Sequence, residues 1–258
     1  MVIKTLTAFL MLAVFVPPFV LGGIWLKVLL GIIGLLVSCE IAALEDHKFH
    51  PVIILLMFAY FFGCILLPAE WFMILNCIAV PVLFSIKLFT DTIETDAIAY
   101  HFLLMFICGI SLQTVQLIYG LEGPHFIAIY IGMASFMCDT AAYFFGVTFG
   151  KHKMSPKVSP NKTWEGAVGG YIAGLAASLI FGLLLIKAFP KTLIITASII
   201  LPFISQIGDL SFSLIKRRFK IKDFSSIFPG HGGMLDRIDS FVFCLLVLRV
   251  LMIIWRII

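Results

Sequence analysis

Charge is what this chain lacks. Only 12% of its 258 residues are Asp, Glu, Lys or Arg, against about 25% in an average globular protein. With 62% hydrophobic residues and a mean hydropathy of +1.13, that scarcity excludes a water-soluble globule. It implies an all-α polytopic membrane protein. None of the six cysteines (Cys39, Cys64, Cys77, Cys108, Cys138, Cys244) forms a CxxC pair, and all lie in or beside apolar runs. They read as small buried hydrophobes, not as a disulfide framework or a zinc site. There is no soluble linker, low-complexity segment or internal repeat, so residues 1–258 read as one membrane domain. No small-x-small cleavage site follows Met1 to Gly23, which reads as a retained first span.

Nine apolar segments stand out, at about 5–22, 24–44, 51–67, 71–89, 97–118, 125–147, 166–187, 192–213 and 238–258. Most approach the ~20 residues that cross the hydrocarbon as a helix. The boundary near Gly22-Gly23 is soft, and counts of eight or ten stay open. Basic residues set the expected orientation. Of the eighteen Lys and Arg residues, four fall in 148–165 and six in 214–237. With nine spans both loops share a face with Lys4, and with Lys48, His47 and His50 of 45–50. Lys and Arg mark the cytoplasmic side, so the N-terminus is expected there and the C-terminus outside. The acidic loop 90–96, with Asp91, Glu94 and Asp96, falls on the same face.

Span seven repeats Gly166, Gly170 and Gly174 at helical spacing, a face for close helix packing. Three carboxylates interrupt apolar runs: Glu40, Asp139 and Asp209. Each costs roughly 2.5–3.5 kcal/mol near mid-membrane and calls for a polar partner. Nothing chemical surrounds Glu40 in sequence, so it reads as a helix–helix hydrogen-bonding group. Asp139 leads toward the first basic loop and is open between that reading and a functional one. Asp209, Ser213 and Lys216 share one helical face at i, i+4 and i+7, which points acid, hydroxyl and ammonium into one volume.

Two polar loops carry the remaining chemistry. The first, at 149–166, has two Ser-Pro steps that disfavour helix, then Asn161-Lys162-Thr163-Trp164-Glu165-Gly166. Lys162 and the Thr163 hydroxyl suit phosphate oxygens. Gly146-x3-Gly150-Lys151 is not a P-loop, because the spacing is wrong and no Ser or Thr follows the lysine. The second runs from Ser213 to Asp239. A Pro-Gly-His-Gly-Gly turn there divides a basic half (Lys216, Arg217, Arg218, Lys220, Lys222) from an acidic half with Asp236 and Asp239. Gly230, Gly232 and Gly233 let backbone approach a ligand, and His231 suits a phosphate contact. Asp236 and Asp239, flanked by Arg237, suit Mg²⁺ holding phosphates. The bland alternative for both loops is a positive-inside loop against anionic lipid headgroups, which leaves the acidic half unexplained.

In that stretch, Ser213, Ile215, Lys216, Arg217, Lys222, Asp223, Ser225, Phe228, Pro229, His231, Gly232, Gly233, Met234, Asp236, Arg237, Ile238 and Asp239 stand in an order that resembles the signature of the phosphatidate cytidylyltransferases. Ser159 to Gly166 and Gly208-Asp209-Leu210 are similar to further family segments. The resemblance covers about 139–239 strongly; the N-terminal half matches only in span count and hydropathy. It implies transfer of a cytidylyl group from CTP to phosphatidic acid. It also implies metal binding by Asp209 and Asp236, with Mg²⁺ and more weakly K⁺. On this reading 1–118 is scaffold and 125–258 the catalytic half.

Asp209, Asp236, Lys216 and Arg237 are then the expected catalytic residues. Lys162, Thr163, Ser213, Arg217, Lys222, His231, Gly232, Gly233 and Asp239 are expected to bind CTP or phosphate. The expected partners are CTP, phosphatidic acid and membrane lipids, with no nucleic acid; homodimerisation through membrane helices rests on the family alone. The alternatives are a CTP-dependent polyisoprenol kinase, a cytidylyltransferase for a related lipid, or, from another class, an ion-coupled transporter.

Overall fold

The structure, a computed structural model, describes residues 13–45, 48, 50–90, 93–121, 125–230 and 232–258. Residues 5–12 of the expected first span lie outside that set, as do Lys4, His47, Asp91 and His231; residues 13–21 are helical. The helices that follow are α1 (Gly23–Ala42), α2 (Pro51–Leu66), α3 (Trp71–Thr90), α4 (Ile98–Tyr119), α5 (His125–Phe149), α6 (Trp164–Leu185), α7 (Lys191–Arg218) and α8 (Leu235–Ile254). Among the described residues, six helices are long and apolar enough to cross a membrane: α1, α3, α4, α5, α6 and α7. Helix α2 is apolar but only 16 residues long. It begins with Pro51, whose missing N–H costs nothing at a first helical position, and ends just ahead of Pro68.

The all-α expectation gains one exception. Between α5 and α6 the chain forms an antiparallel hairpin of β1 (Lys153–Ser155) and β2 (Ser159–Thr163), pairing Lys153 with Thr163 and Ser155 with Ser159. The Ser-Pro steps explain it. Pro156 follows Ser155 at the second position of a turn closed by the Val158 N–H on the Ser155 carbonyl at 3.2 Å. Pro160 is tolerated because a two-stranded ribbon is all edge.

The chain divides into two compact units. The first comprises Met1–Gln116 and Arg218–Arg237, the second Leu117–Arg217 and Ile238–Ile258. In the first, Tyr60 packs against Gly109 and donates to Asn76 Oδ1 at 3.1 Å. The start of the basic loop is tied down by an ion pair of Arg218 with Asp96 and an edge contact of Phe219 with Tyr100, ring centroids 5.3 Å apart. The acidic loop 90–96 thus supplies a counter-charge through Asp96.

In the second unit, α5 and α6 pack through the glycine stripe. A Cβ at Gly166, Gly170 or Gly174 would come within 2.6–2.7 Å of the Ala142, Cys138 and Ala134 carbonyls in turn. The contacts climb α5 four residues at a time as they descend α6, so the backbones meet wherever a side chain is missing. Gln206 of α7 donates to the Ala167 carbonyl at 2.8 Å, and Tyr130 of α5 donates to the Ile194 carbonyl at 3.0 Å. These bonds satisfy polar groups that hydrocarbon cannot. Because the obstacle at Gly170 is backbone, Gly170→Val is expected to destabilise the protein by about 1–3 kcal/mol. Thermal unfolding in detergent should register it, while Val168→Ala on an exposed position should leave the transition in place.

Candidate functional site

The expected site residues fall in both units. In the second, α7 presents Asp209, Ser213 and Lys216 as its periodicity implies. Ser213 Oγ lies 3.5 Å from Asp209 Oδ1, one turn back. Lys162, at the end of the hairpin, forms an ion pair with Asp209 through Oδ2. Asp239 is only 9% exposed, and its electrostatic neighbours are Asp209, Lys216 and Asp139. Asp139, left open by the sequence, therefore joins an acidic neighbourhood in which two lysines supply the countercharge. Arg217 is exposed, and its Nε donates to the Val158 carbonyl at 3.2 Å, which ties the hairpin tip to α7.

Thr163 has a structural task that its sequence does not by itself announce. It is the N-cap of α6, its Oγ1 accepting the Gly166 N–H at 3.2 Å, and it is buried against Gly146 and Gly150. Glu165 closes the base of the hairpin. Its carboxylate accepts His152 Nδ1–H at 2.6 Å and the Lys151 N–H at 3.1 Å. Cap and clamp together fix where Lys162 leaves the ribbon.

In the first unit the Pro-Gly-His-Gly-Gly stretch folds back on itself. The Phe228 N–H donates to the Gly232 carbonyl at 3.0 Å, and Gly230 and Gly232 take left-handed φ values of 75° and 81°. A Cβ on Gly232 would also lie 2.8 Å from Asp236 Oδ2. Asp236, 7% exposed, accepts the Phe224 N–H at 2.8 Å and the Gly233 N–H at 2.9 Å, both on Oδ2. Arg237 and Lys222 are exposed. His231 lies outside the described residues.

Glu40 is the group that sequence reasoning missed. It is 2% exposed on α1, close to the end of that helix. Its Oε1 accepts the Met234 N–H at 2.6 Å and the Ser225 hydroxyl at 2.7 Å, and its Oε2 accepts the Leu235 N–H at 2.7 Å. Its partners are therefore the Ser225 hydroxyl and the backbone N–H groups at the start of α8, rather than a polar side chain on a neighbouring span. The signals available in sequence were an uncompensated carboxylate and the unsatisfied N–H groups of a helix start, too far apart to be joined by pattern.

The donor chemistry suits a hard cation. Asp209 and Asp236, the expected metal ligands, offer oxygen only, as do Asp139 and Asp239, and oxygen donors fit Mg²⁺. Among the described residues, no group of three or more His, Cys, Asp or Glu side chains forms a ready cage.

A sequence model of the Cytidylyltransferase family matches residues 2–255. The chain belongs to that family. A protein of Staphylococcus saprophyticus named phosphatidate cytidylyltransferase is 34% identical over 98% of this chain and 99% of its own length. Proteins of the same name from Staphylococcus aureus and Staphylococcus epidermidis are 33% and 30% identical, each over 98% of this chain and 99% of their own.

The cap geometry yields a prediction. Thr163→Ala should lower stability by about 0.5–2 kcal/mol, and Thr163→Ser should restore most of it. Chemical or thermal unfolding in detergent would read both, and equal stability of all three proteins would remove the cap.

Proposed function

We infer that this chain is a phosphatidate cytidylyltransferase, transferring a cytidylyl group from CTP to phosphatidic acid and yielding CDP-diacylglycerol and pyrophosphate. The observation that carries this is the near-full-length match to relatives of that name, at 34% and 33% identity over 98% of the chain. The order His-Gly-Gly-x-x-Asp-Arg-x-Asp at 231–239 supports it.

The chemistry asks little of a general base. A phosphatidate oxygen is already anionic near neutral pH. It attacks the α-phosphorus of CTP, and the bond from that phosphorus to the bridging oxygen breaks, releasing pyrophosphate. Catalysis then rests on positioning and charge neutralisation. Lys216, Arg217, Lys222 and Arg237 are the proposed holders of the phosphates, with Lys162, Ser213, His231, Gly232, Gly233 and Asp239 contributing to nucleotide or phosphate binding. The Thr163 hydroxyl is proposed to act through the cap that orients Lys162. Asp209 and Asp236 are the proposed magnesium ligands, and Mg²⁺ would neutralise charge on the CTP phosphates when bound. A K⁺ beside it rests on the family resemblance alone.

The distribution of Lys and Arg supports a multi-pass arrangement with both basic loops, and so the chemistry, on the cytoplasmic face. Water-soluble CTP and membrane-bound phosphatidate can meet there. The same asymmetry supports nine spans with a cytoplasmic N-terminus. Division into a scaffold at 1–118 and a catalytic half at 125–258, and a homodimer, stand as proposals.

Purified protein given labelled CTP, Mg²⁺ and phosphatidic acid should form CDP-diacylglycerol, stop on chelation and resume when Mg²⁺ is restored. A folded wild type that forms no product would overturn the reading. Asp236→Asn should lower turnover by about 10²-fold or more with little change in unfolding temperature. The amide oxygen can still accept from the Phe224 and Gly233 N–H groups. Wild-type turnover in that variant would remove Asp236 from the metal site.

A further inference from the structure

We propose that Glu40 is a positioning residue for the reaction: its carboxylate sets the conformation of the Ser225–Leu235 stretch and so the aim of the Gly232-Gly233 backbone and of Asp236. The proposal rests on the reading of that stretch as part of the active site.

Three observations carry it. First, Glu40 is buried in an apolar helix, where an ionised carboxylate is tolerated only with strong partners. Its partners are all in one place. Ser225, Met234 and Leu235 donate to it at 2.6–2.7 Å, the short distances of charge-assisted hydrogen bonds. Second, these donors bracket the turn. Ser225 stands before Pro229-Gly230, and Met234 and Leu235 stand after Gly233 at the start of α8. One carboxylate thus staples both ends of the glycine turn. The Met234 and Leu235 N–H groups belong to a helix start, where intrahelical acceptors are missing. Third, the fit leaves no slack. A Cβ on Gly233 would run into the Glu40 carboxylate and lie 2.7 Å from Ser225 Oγ. Gly233 also donates to Asp236 Oδ2 at 2.9 Å. A shift of the Glu40 carboxylate therefore reaches the proposed metal ligand through a single residue.

A group that only stabilised the fold would change the amount of folded protein and leave its kinetics alone. A positioning group changes kcat in protein that is fully folded. Full-length Glu40→Gln keeps size and one acceptor oxygen but presents an NH2 to backbone N–H donors. Its kcat should fall about ten- to hundredfold, as loss of a charge-assisted hydrogen bond implies, with KM for CTP changed less. Amide exchange at Met234 and Leu235 should accelerate in the absence of any substrate. Glu40→Asp, which keeps the charge on a shorter arm, should recover part of kcat.

Ser225→Ala removes one donor and no charge, and serves if the Glu40 variants do not fold. It should lose roughly threefold in kcat and exchange faster at Met234. Wild-type kcat and exchange in folded Glu40→Gln, or in Ser225→Ala where the former does not fold, would overturn the proposal. Asp236→Asn measured beside them separates the two readings. If it is inactive while Glu40→Gln is fully active, only the role of Glu40 falls. If it is fully active, the assignment of the stretch to the active site falls first.

Discussion

The Glu40 carboxylate and the start of α8 each present a problem that the other solves. An ionised carboxylate in an apolar helix lacks solvation, and the first N–H groups of a helix lack acceptors. Joining them removes both penalties, and the helix dipole adds to the attraction. The bonds of Met234 and Leu235 to Glu40 therefore do more than hold one loop. They fix the residue from which α8 begins, and with it the phase at which Asp236 leaves the helix. Asp236 then turns back and accepts the Phe224 and Gly233 N–H groups, so the turn is bounded by carboxylates at two points.

The second unit reaches a comparable result by packing. The glycine stripe allows α6 to lie against the backbone of α5, and that close approach fixes where α6 begins. Thr163 caps that start and Glu165 clamps the ribbon leading into it. Lys162 is next to the cap, so the position of its ammonium follows from the helix interface that begins at Gly166. Its pairing with Asp209 holds a buried-side charge and a loop charge in a common place. A long flexible lysine on a loop would otherwise lose much side-chain entropy on binding any ligand. Here part of that ordering has already occurred.

Phosphoryl chemistry of this kind depends on charges held in advance, because reorganising them during reaction would cost what the enzyme is meant to save. A chain with so few charges concentrates them. Its two basic loops and its Asp139, Asp209 and Asp239 neighbourhood are exceptions to an apolar rule. Each buried member has partners drawn from backbone or from opposite charge. The same requirement that makes a membrane protein pair its charges also holds those charges still.

What the sequence made legible follows the distance over which each interaction acts. Apolar runs, Pro51 and Pro68 mark helices locally, and the expected spans coincide with α1 to α7 within a few residues. The Asp209–Ser213 contact spans four positions and is implied by helical period. The Gly166, Gly170 and Gly174 stripe announced close packing, although it could not name α5 as the partner. The hairpin was visible only as non-helical Ser-Pro steps, because pairing needs both strands and their register. The N-cap role of Thr163 is available from its place before an apolar run, although the neighbouring lysine points first to phosphate. The Glu40 bonds join positions 185 to 195 residues apart. No period or spacing rule spans that separation; what carries across it is a physical demand. A buried carboxylate and a helix start both need partners, and each such unmet need in a sequence is a reason to look for the other.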